Sequence, residues 1–228
     1  MPTLDLRRLA DGSNQQSFSN QRRTARFMEF ERLTAGLRRP LRIVDIGGTN
    51  EFWEQRGWAD RDDVEITTVN LELEERRHDN IHPVVGDATN LADHGDKSYD
   101  VAFSNSVIEH LFTYEAQAAM AREVRRVAKA YWVQTPNYGF PMEPHFLVPG
   151  WHYLPETARV AIIRRRRCGW RGPYPELAEA RQKVREIRLM KGSELRTLFP
   201  DAEVRPEKFH GLTKSWVVIH GLPGTAAA

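Results

Sequence analysis

Apolar positions along this chain change their period at Leu41. Ahead of it Phe27, Phe30, Leu33, Thr34 and Leu37 recur three and four apart, the spacing that lines up one face of a helix, and a helix is predicted over about 21–37. From Leu41 onward, short apolar runs predict strands at 41–46, 66–71, 83–85, 99–104 and 131–135. Amphipathic stretches between them predict helices at 51–58 and 114–127, an order that builds parallel βαβ units. Between residue 136 and about 191 the alternation fails and Pro, Gly, aromatic residues and Arg accumulate, as in an insertion or lid. A helix is then predicted at 192–199, with Ser193 as its cap and Pro200 as its stop. Strands at 203–209 and 215–220 follow, joined through Gly211 as an antiparallel pair closing the sheet.

The expected organisation is an N-terminal arm and cap helix (1–40), an α/β core (41–137), an inserted lid for substrate (138–191) and a C-terminal helix and strand pair (192–228). Residues 4–20 read as a loose arm and 221–228 as a frayed tail.

Bulk properties narrow this picture only a little. A length of 228 residues suits one α/β domain with an insertion. The net charge of +2 is too small to announce a polyanion, and no nucleic acid is expected as partner. Only six of the 33 basic residues are Lys, so the positive charge is almost all guanidinium, the group suited to bidentate carboxylate and phosphate contacts. Cys168 stands alone, and the first 21 residues lack the apolar stretch of a signal peptide. With no apolar run of membrane-spanning length, a soluble protein of the reduced cytoplasm is expected.

In an open parallel sheet, ligands bind beyond the carboxyl ends of the strands, where the strand order reverses. The loop after the first strand reads Asp45-Ile46-Gly47-Gly48-Thr49-Asn50. It lacks the G-x-G-x-x-G spacing that admits a pyrophosphate, and its opening acid suits a ligand with an ammonium group. The second strand ends Val69-Asn70-Leu71-Glu72, where Glu72 or Asn70 would accept from ribose hydroxyls. After the third comes Gly86-Asp87-Ala88, an acid that can accept from an adenine amino group beside a small residue that lets the ring lie flat.

These turns, with the run Ser98-Tyr99-Asp100-Val101-Ala102-Phe103-Ser104-Asn105-Ser106-Val107-Ile108-Glu109-His110-Leu111, make residues 42–136 resemble the class I S-adenosylmethionine (SAM) dependent methyltransferases, especially the small bacterial type 11 group. The resemblance implies a Rossmann-like seven-stranded sheet with its last strand antiparallel, SAM as methyl donor and S-adenosylhomocysteine as product. It implies that Asp45 and Gly47, with Gly48 and Thr49 in the same loop, hold the methionine end. Glu72 or Asn70 would take the ribose and Asp87 with Ala88 the adenine, with Asn105 and Ser106 beside the reacting centre. Thr49 stands where the family often has a further glycine, and Asn70 where it often has an acid.

Two histidines are candidates for a general base, which a hydroxyl acceptor needs and a neutral amine does not. His110 follows the fourth strand. His145 lies in the proline-punctuated stretch Thr135-Pro136-Asn137-Tyr138-Gly139-Phe140-Pro141-Met142-Glu143-Pro144-His145-Phe146 after the fifth. A metal set of Glu143, His145 and His152 has no spacing to fix its geometry, so no metal ligand is assigned.

The run Arg164–Arg167 reads first as a solvated face. Its sharper alternatives are a grip on an anionic acceptor or peripheral contact with an anionic membrane surface. The expected activity is O-methylation of a small or carrier-linked acceptor, a sugar or secondary metabolite. The alternatives are N- or C-methylation of a small molecule, or a SAM-binding regulatory module without turnover.

Overall fold

The computed structural model describes residues 18–223. The arm and the tail therefore lie outside the described residues except at their inner ends. Helix α1 (Phe18–Thr34) leads into β1 (Leu41–Ile46), α2 (Asn50–Glu54), β2 (Val64–Asn70), β3 (Ile81–Val85) and β4 (Tyr99–Asn105). After a 3-10 turn (Ile108–His110) come α3 (Tyr114–Val127), β5 (Ala128–Pro136), a second 3-10 turn (Trp151–Tyr153), α4 (Glu156–Ile163) and α5 (Leu177–Arg185). Helix α6 (Gly192–Leu198), β6 (Glu203–Phe209) and β7 (Leu212–His220) are the last of the described elements.

The seven strands form one sheet in the order β3-β2-β1-β4-β5-β7-β6, the first five parallel and β7 antiparallel to both its neighbours. Alternation along each strand divides its side chains between two cores. Ile43, Val101, Phe103, Trp132, Val217 and Ile219 face one layer, where Phe27, Phe30 and Leu33 of α1 meet Trp53 and Trp58. Ring centroids there lie 5.3 Å apart for Phe27 and Trp58 and 4.9 Å for Phe30 and Phe103. Val44, Ala102, Tyr131, Val133 and Val218 face the other, under Met120 and Val124 of α3, Leu195 of α6 and Phe199. A third, smaller core holds the inserted segment together, with Phe146, Trp151, Val160, Ile163, Cys168, Ala180 and Val184 between α4 and α5.

Both edges of the sheet carry a proline, Pro83 in β3 and Pro206 in β6, where a missing N–H costs no ladder bond to a further strand. Several boundaries differ from the sequence expectation. Helix α2 stops at Glu54 rather than running to Trp58, because the chain turns through Gly57 at φ 69° and Trp58 folds back, its N–H donating to the Trp53 carbonyl. Ser193 does not cap α6. Lys191 is the cap residue, and its N–H donates to the Glu194 carboxylate at 2.7 Å. No helix among the described residues is long and apolar enough to cross a membrane.

Candidate active site

The strand order reverses between β1 and β4, and a cavity of about 340 Å³ opens there. Four of its walls matter to its chemistry.

The β1 loop forms the first. Asp45 is 2% exposed, and its Oδ2 accepts from the Trp53 indole at 2.8 Å. Burial lifts its pKa to about 7; the Trp53 hydrogen bond works against that rise and Glu74 adds to it. Gly48 has to be glycine, since a Cβ would stand 1.8 Å from Asp45 Oδ2. Gly47 sits at φ 78°, where a side chain would be strained and a Cβ would strike Val107 at 2.5 Å. Thr49 lines the cavity and caps α2, its hydroxyl accepting from the Phe52 N–H at 3.3 Å.

The β4 tip forms the second. Asn105 Oδ1 accepts from Arg26 at 2.7 Å, and Arg26 is in turn gripped by both oxygens of Glu207 at 2.8 Å. Burial alone would raise Glu207, but the Arg26 guanidinium and the Ser215 hydroxyl hold it below the ordinary carboxylate range. Ser106 adopts φ 62° and is fastened to Gln134 through both its hydroxyl (2.8 Å) and its N–H (3.0 Å). The third wall is cationic, with Arg23 from α1 and Arg56 beside α2.

The two candidate histidines close the fourth side, and the fold brings them into contact. Their Nε2 atoms lie 3.2 Å apart with the rings at 89°. His145 Nδ1 meets Glu143 Oε1 at 2.5 Å, and the other Glu143 oxygen accepts from the backbone N–H groups of His145 and Phe146. Glu143 is 1% exposed and so acts as an internal brace. Burial, reinforced by His145 and Arg171, pushes the His110 pKa down to about 4, so its ring is neutral at physiological pH. Behind them, Glu109 is fully buried and lifted to about 7, chiefly by its burial.

The remaining predicted positions lie away from the cavity lining. Asn70 touches it indirectly, its amide donating to the Gly48 carbonyl at 2.6 Å and leaving the amide oxygen for a ligand. Glu72 is exposed. Asp87 is exposed too, and its Oδ1 accepts from the N–H and hydroxyl of Thr89 in a local turn. Ala88 packs on the core. Arg164–Arg167 are exposed, and none lines the cavities described here. Glu143 is spent on His145, and among the described residues the ligand atoms that converge are those of Glu109, His110 and His145, not Glu143, His145 and His152.

Sequence reasoning missed Trp53, Arg23, Arg26 and Arg56, whose roles depend on which helix covers the sheet opening. It also missed a set of three groups that can hold a metal ion, Glu109, His110 and His145. The adjacent Glu-His pair was visible, but its meeting with His145 depends on the fold.

Residues 47–130 match the family model described as a methyltransferase domain. Uncharacterised proteins from two strains of Mycobacterium tuberculosis are 37% identical over 65 residues, a stretch that is 28% of this chain and 22% of theirs. Among solved structures, magnesium protoporphyrin IX methyltransferase from Synechocystis PCC 6803 with bound S-adenosylhomocysteine superposes with a TM-score of 0.53 at 11% identity, over 90% of this chain and 84% of that one. Phosphoethanolamine N-methyltransferase 2 from Haemonchus contortus in complex with SAM gives 0.52 at 14% identity, over 80% of this chain and 38% of that one. The sheet order, the glycine turn at its point of reversal and the matched segment agree: residues 47–130 match a methyltransferase domain, and the chain has the seven-stranded fold of the class I methyltransferases.

Proposed function

We propose that this chain transfers a methyl group from SAM to a hydroxyl oxygen of a small or carrier-linked, anionic acceptor. The donor set fits SAM at its amino-acid end. Asp45 offers a carboxylate to the ammonium, Arg23 and Arg56 offer guanidinium groups to the carboxylate, and the missing Cβ of Gly48 leaves room beside the Asp45 carboxylate. The Asn70 amide oxygen is available to a ribose hydroxyl beside the same turn. Bound SAM supplies an electrophilic methyl on a sulfonium, and the work left to the protein is alignment, exclusion of water and removal of the acceptor's proton.

The observation that carries the oxygen reading is the Glu143–His145 pair at the edge of that cavity. A buried carboxylate facing Nδ1 fixes the proton there, leaving Nε2 with its lone pair, which is how an imidazole is set to take a proton from a hydroxyl. An amine that is already neutral would need no such brace. An anionic acceptor is favoured by a second cavity of about 320 Å³, lined by Glu143, the partner of His145, and by Arg159, Lys191 and His152. The Nε of Arg159 is buried there without a partner.

The test is turnover with SAM carrying a ¹³C methyl, with the acceptor drawn from a panel of hydroxyl- and amine-bearing anions. The carbon of the product is expected at the chemical shift of a methyl ether or ester. His145→Ala should lower turnover by about a hundredfold while leaving SAM affinity within about twofold. An N-methyl or C-methyl product, or unchanged turnover in His145→Ala, rejects the oxygen reading. Calorimetric binding of NADH in place of SAM rejects the whole assignment, and SAM binding with no labelled product across the panel favours a module without turnover.

A further inference from the structure

We propose that Glu109, His110 and His145 form the binding site of one first-row divalent cation, Zn²⁺ foremost, which holds the acceptor's oxygen at the inner end of the cavity. The proposal deepens the oxygen-acceptor reading above and rests on it for the ion's role, though the site itself stands on geometry alone.

One ligand atom from each of the three residues lies within 4.8 Å of the other two. Glu109 is fully buried; its Oε2 accepts from the Thr135 hydroxyl at 3.0 Å, while Oε1 is buried with no hydrogen-bond partner. A carboxylate oxygen left so is costly, and a cation is the partner that relieves it. The two imidazoles present Nε2 to each other at 3.2 Å. A hydrogen bond between them would satisfy the rings and still leave Glu109 Oε1 unpartnered, whereas an ion between the three satisfies all of them.

The brace on His145 points the same way. A metal-ligating histidine almost always gives its other ring N–H to a carboxylate or carbonyl, and Glu143 occupies that place at Nδ1, itself fixed by two backbone N–H groups. Two imidazole nitrogens and one carboxylate suit Zn²⁺ or Co²⁺ better than Mg²⁺ or Ca²⁺, which prefer oxygen ligands. Three protein ligands also leave a position open, as in sites that bind substrate. His110 and His145 line the cavity, so that position is open to the acceptor's side. A hydroxyl bound to the ion would have its pKa lowered and would give its proton to water at the cavity mouth, so that His145 Nε2 is the base only in the protein without the ion. His78 offers a contrast elsewhere on the molecule: it sits between Glu54 and Asp60 at 2.9 Å from each, a cluster whose members already satisfy one another.

The test uses the full chain stripped with a chelator, without SAM, and titrated calorimetrically with ZnCl₂. One site per chain is expected, weakened at least tenfold (~10-fold) by Glu143→Gln and more by Glu109→Gln and His110→Ala, with His78→Ala unchanged. Replacing Zn²⁺ with Co²⁺ should give visible d–d absorption that the same variants lose. Circular dichroism and the melting temperature check the fold. Glu109→Gln, which keeps an amide for Thr135 to meet, decides the matter if His110→Ala does not fold. Absence of Zn²⁺ binding tighter than about 100 μM, or equal binding by parent and Glu109→Gln, overturns the site. That failure leaves the oxygen reading standing if His145→Ala still loses turnover with SAM bound; conversely, Zn²⁺ held by the parent and lost by the variants supports the site even if no methyl ether forms.

Discussion

The acid at the tip of β1 and the acids at the tips of β2 and β3 were expected to share one ligand, yet they sit in opposite environments. Asp45 is sealed under the glycine turn, tied to an indole and lifted to about 7 by its burial. Glu72 and Asp87 are exposed, Asp87 being engaged with Thr89 in its own turn. A buried carboxylate without a counter-charge is a poor place to keep a negative charge, and a ligand's ammonium restores it. Ribose and adenine are neutral and require only hydrogen bonds, which exposed groups supply with little cost or gain. Affinity for the donor should therefore be concentrated at the β1 end.

The largest effect expected from this contrast is at Asp45. Asp45→Asn should weaken SAM binding by about 3 kcal/mol, on the order of a hundredfold, because it leaves the ammonium unpaired in a buried site. The same substitution should raise the melting temperature of the unliganded protein at pH 8. The folded-state pKa lies above the unfolded one, so the stability of the neutral form is complete below the ordinary carboxylate range and is lost as pH climbs to about 7. Removing the ionisation removes that loss. A variant that binds SAM like the parent would end the argument.

Next in size is the pH dependence of SAM affinity in the parent protein. Pairing with the ammonium needs Asp45 ionised, so affinity should be level above about pH 8 and fall by up to about tenfold per unit below 7. Calorimetry in buffers of different ionisation heat should record a proton released on binding near pH 6. A flat profile would mean that Asp45 stays neutral in the complex.

Smaller still, Glu72→Gln and Asp87→Asn should each cost no more than about fivefold in SAM affinity, the scale of one exposed hydrogen bond. Loss comparable to Asp45→Asn would abolish the contrast between the strand tips. Smallest of all, replacing Arg164–Arg167 with glutamine should leave SAM affinity unchanged and cost no more than about 2 kcal/mol of stability, mostly from the exposed bonds of Arg164 to the Pro175 carbonyl and of Arg165 to the Ala161 carbonyl. A salt-dependent loss of acceptor binding would instead tie the run to substrate.

The sheet was legible because its strands alternate over two different cores: Tyr131, Trp132 and Val133 go to opposite sides in turn, a pattern visible without knowing the partners. Helix α3 was legible over its whole length for the same reason at a different period. Helices α4 and α5 were not, since the apolar face of each is short and packs into a small local core with Phe146, Trp151 and Cys168, and polar and charged residues interrupt both. The β1 loop could be named from its acid and glycines because those residues act on their neighbours in sequence. The Glu109 cluster could not, because it is made by segments that only the fold brings together; the Glu143 brace is local, two residues from His145, but it lies in an irregular loop whose geometry no helix or strand period announces.

The Arg26 clasp has a consequence for the boundaries of the working unit. The segment that matches the methyltransferase family begins at residue 47, yet Arg26 ties the tip of β4 to Glu207 on the far edge strand, and Phe27 packs edge-on against the Trp53 that steadies Asp45. A fragment trimmed to begin at Leu41 would retain every recognisable signature and lose the helix that supplies Arg23 to the cavity wall. The helix ahead of the signature is thus as much a part of the candidate site as the loops inside it.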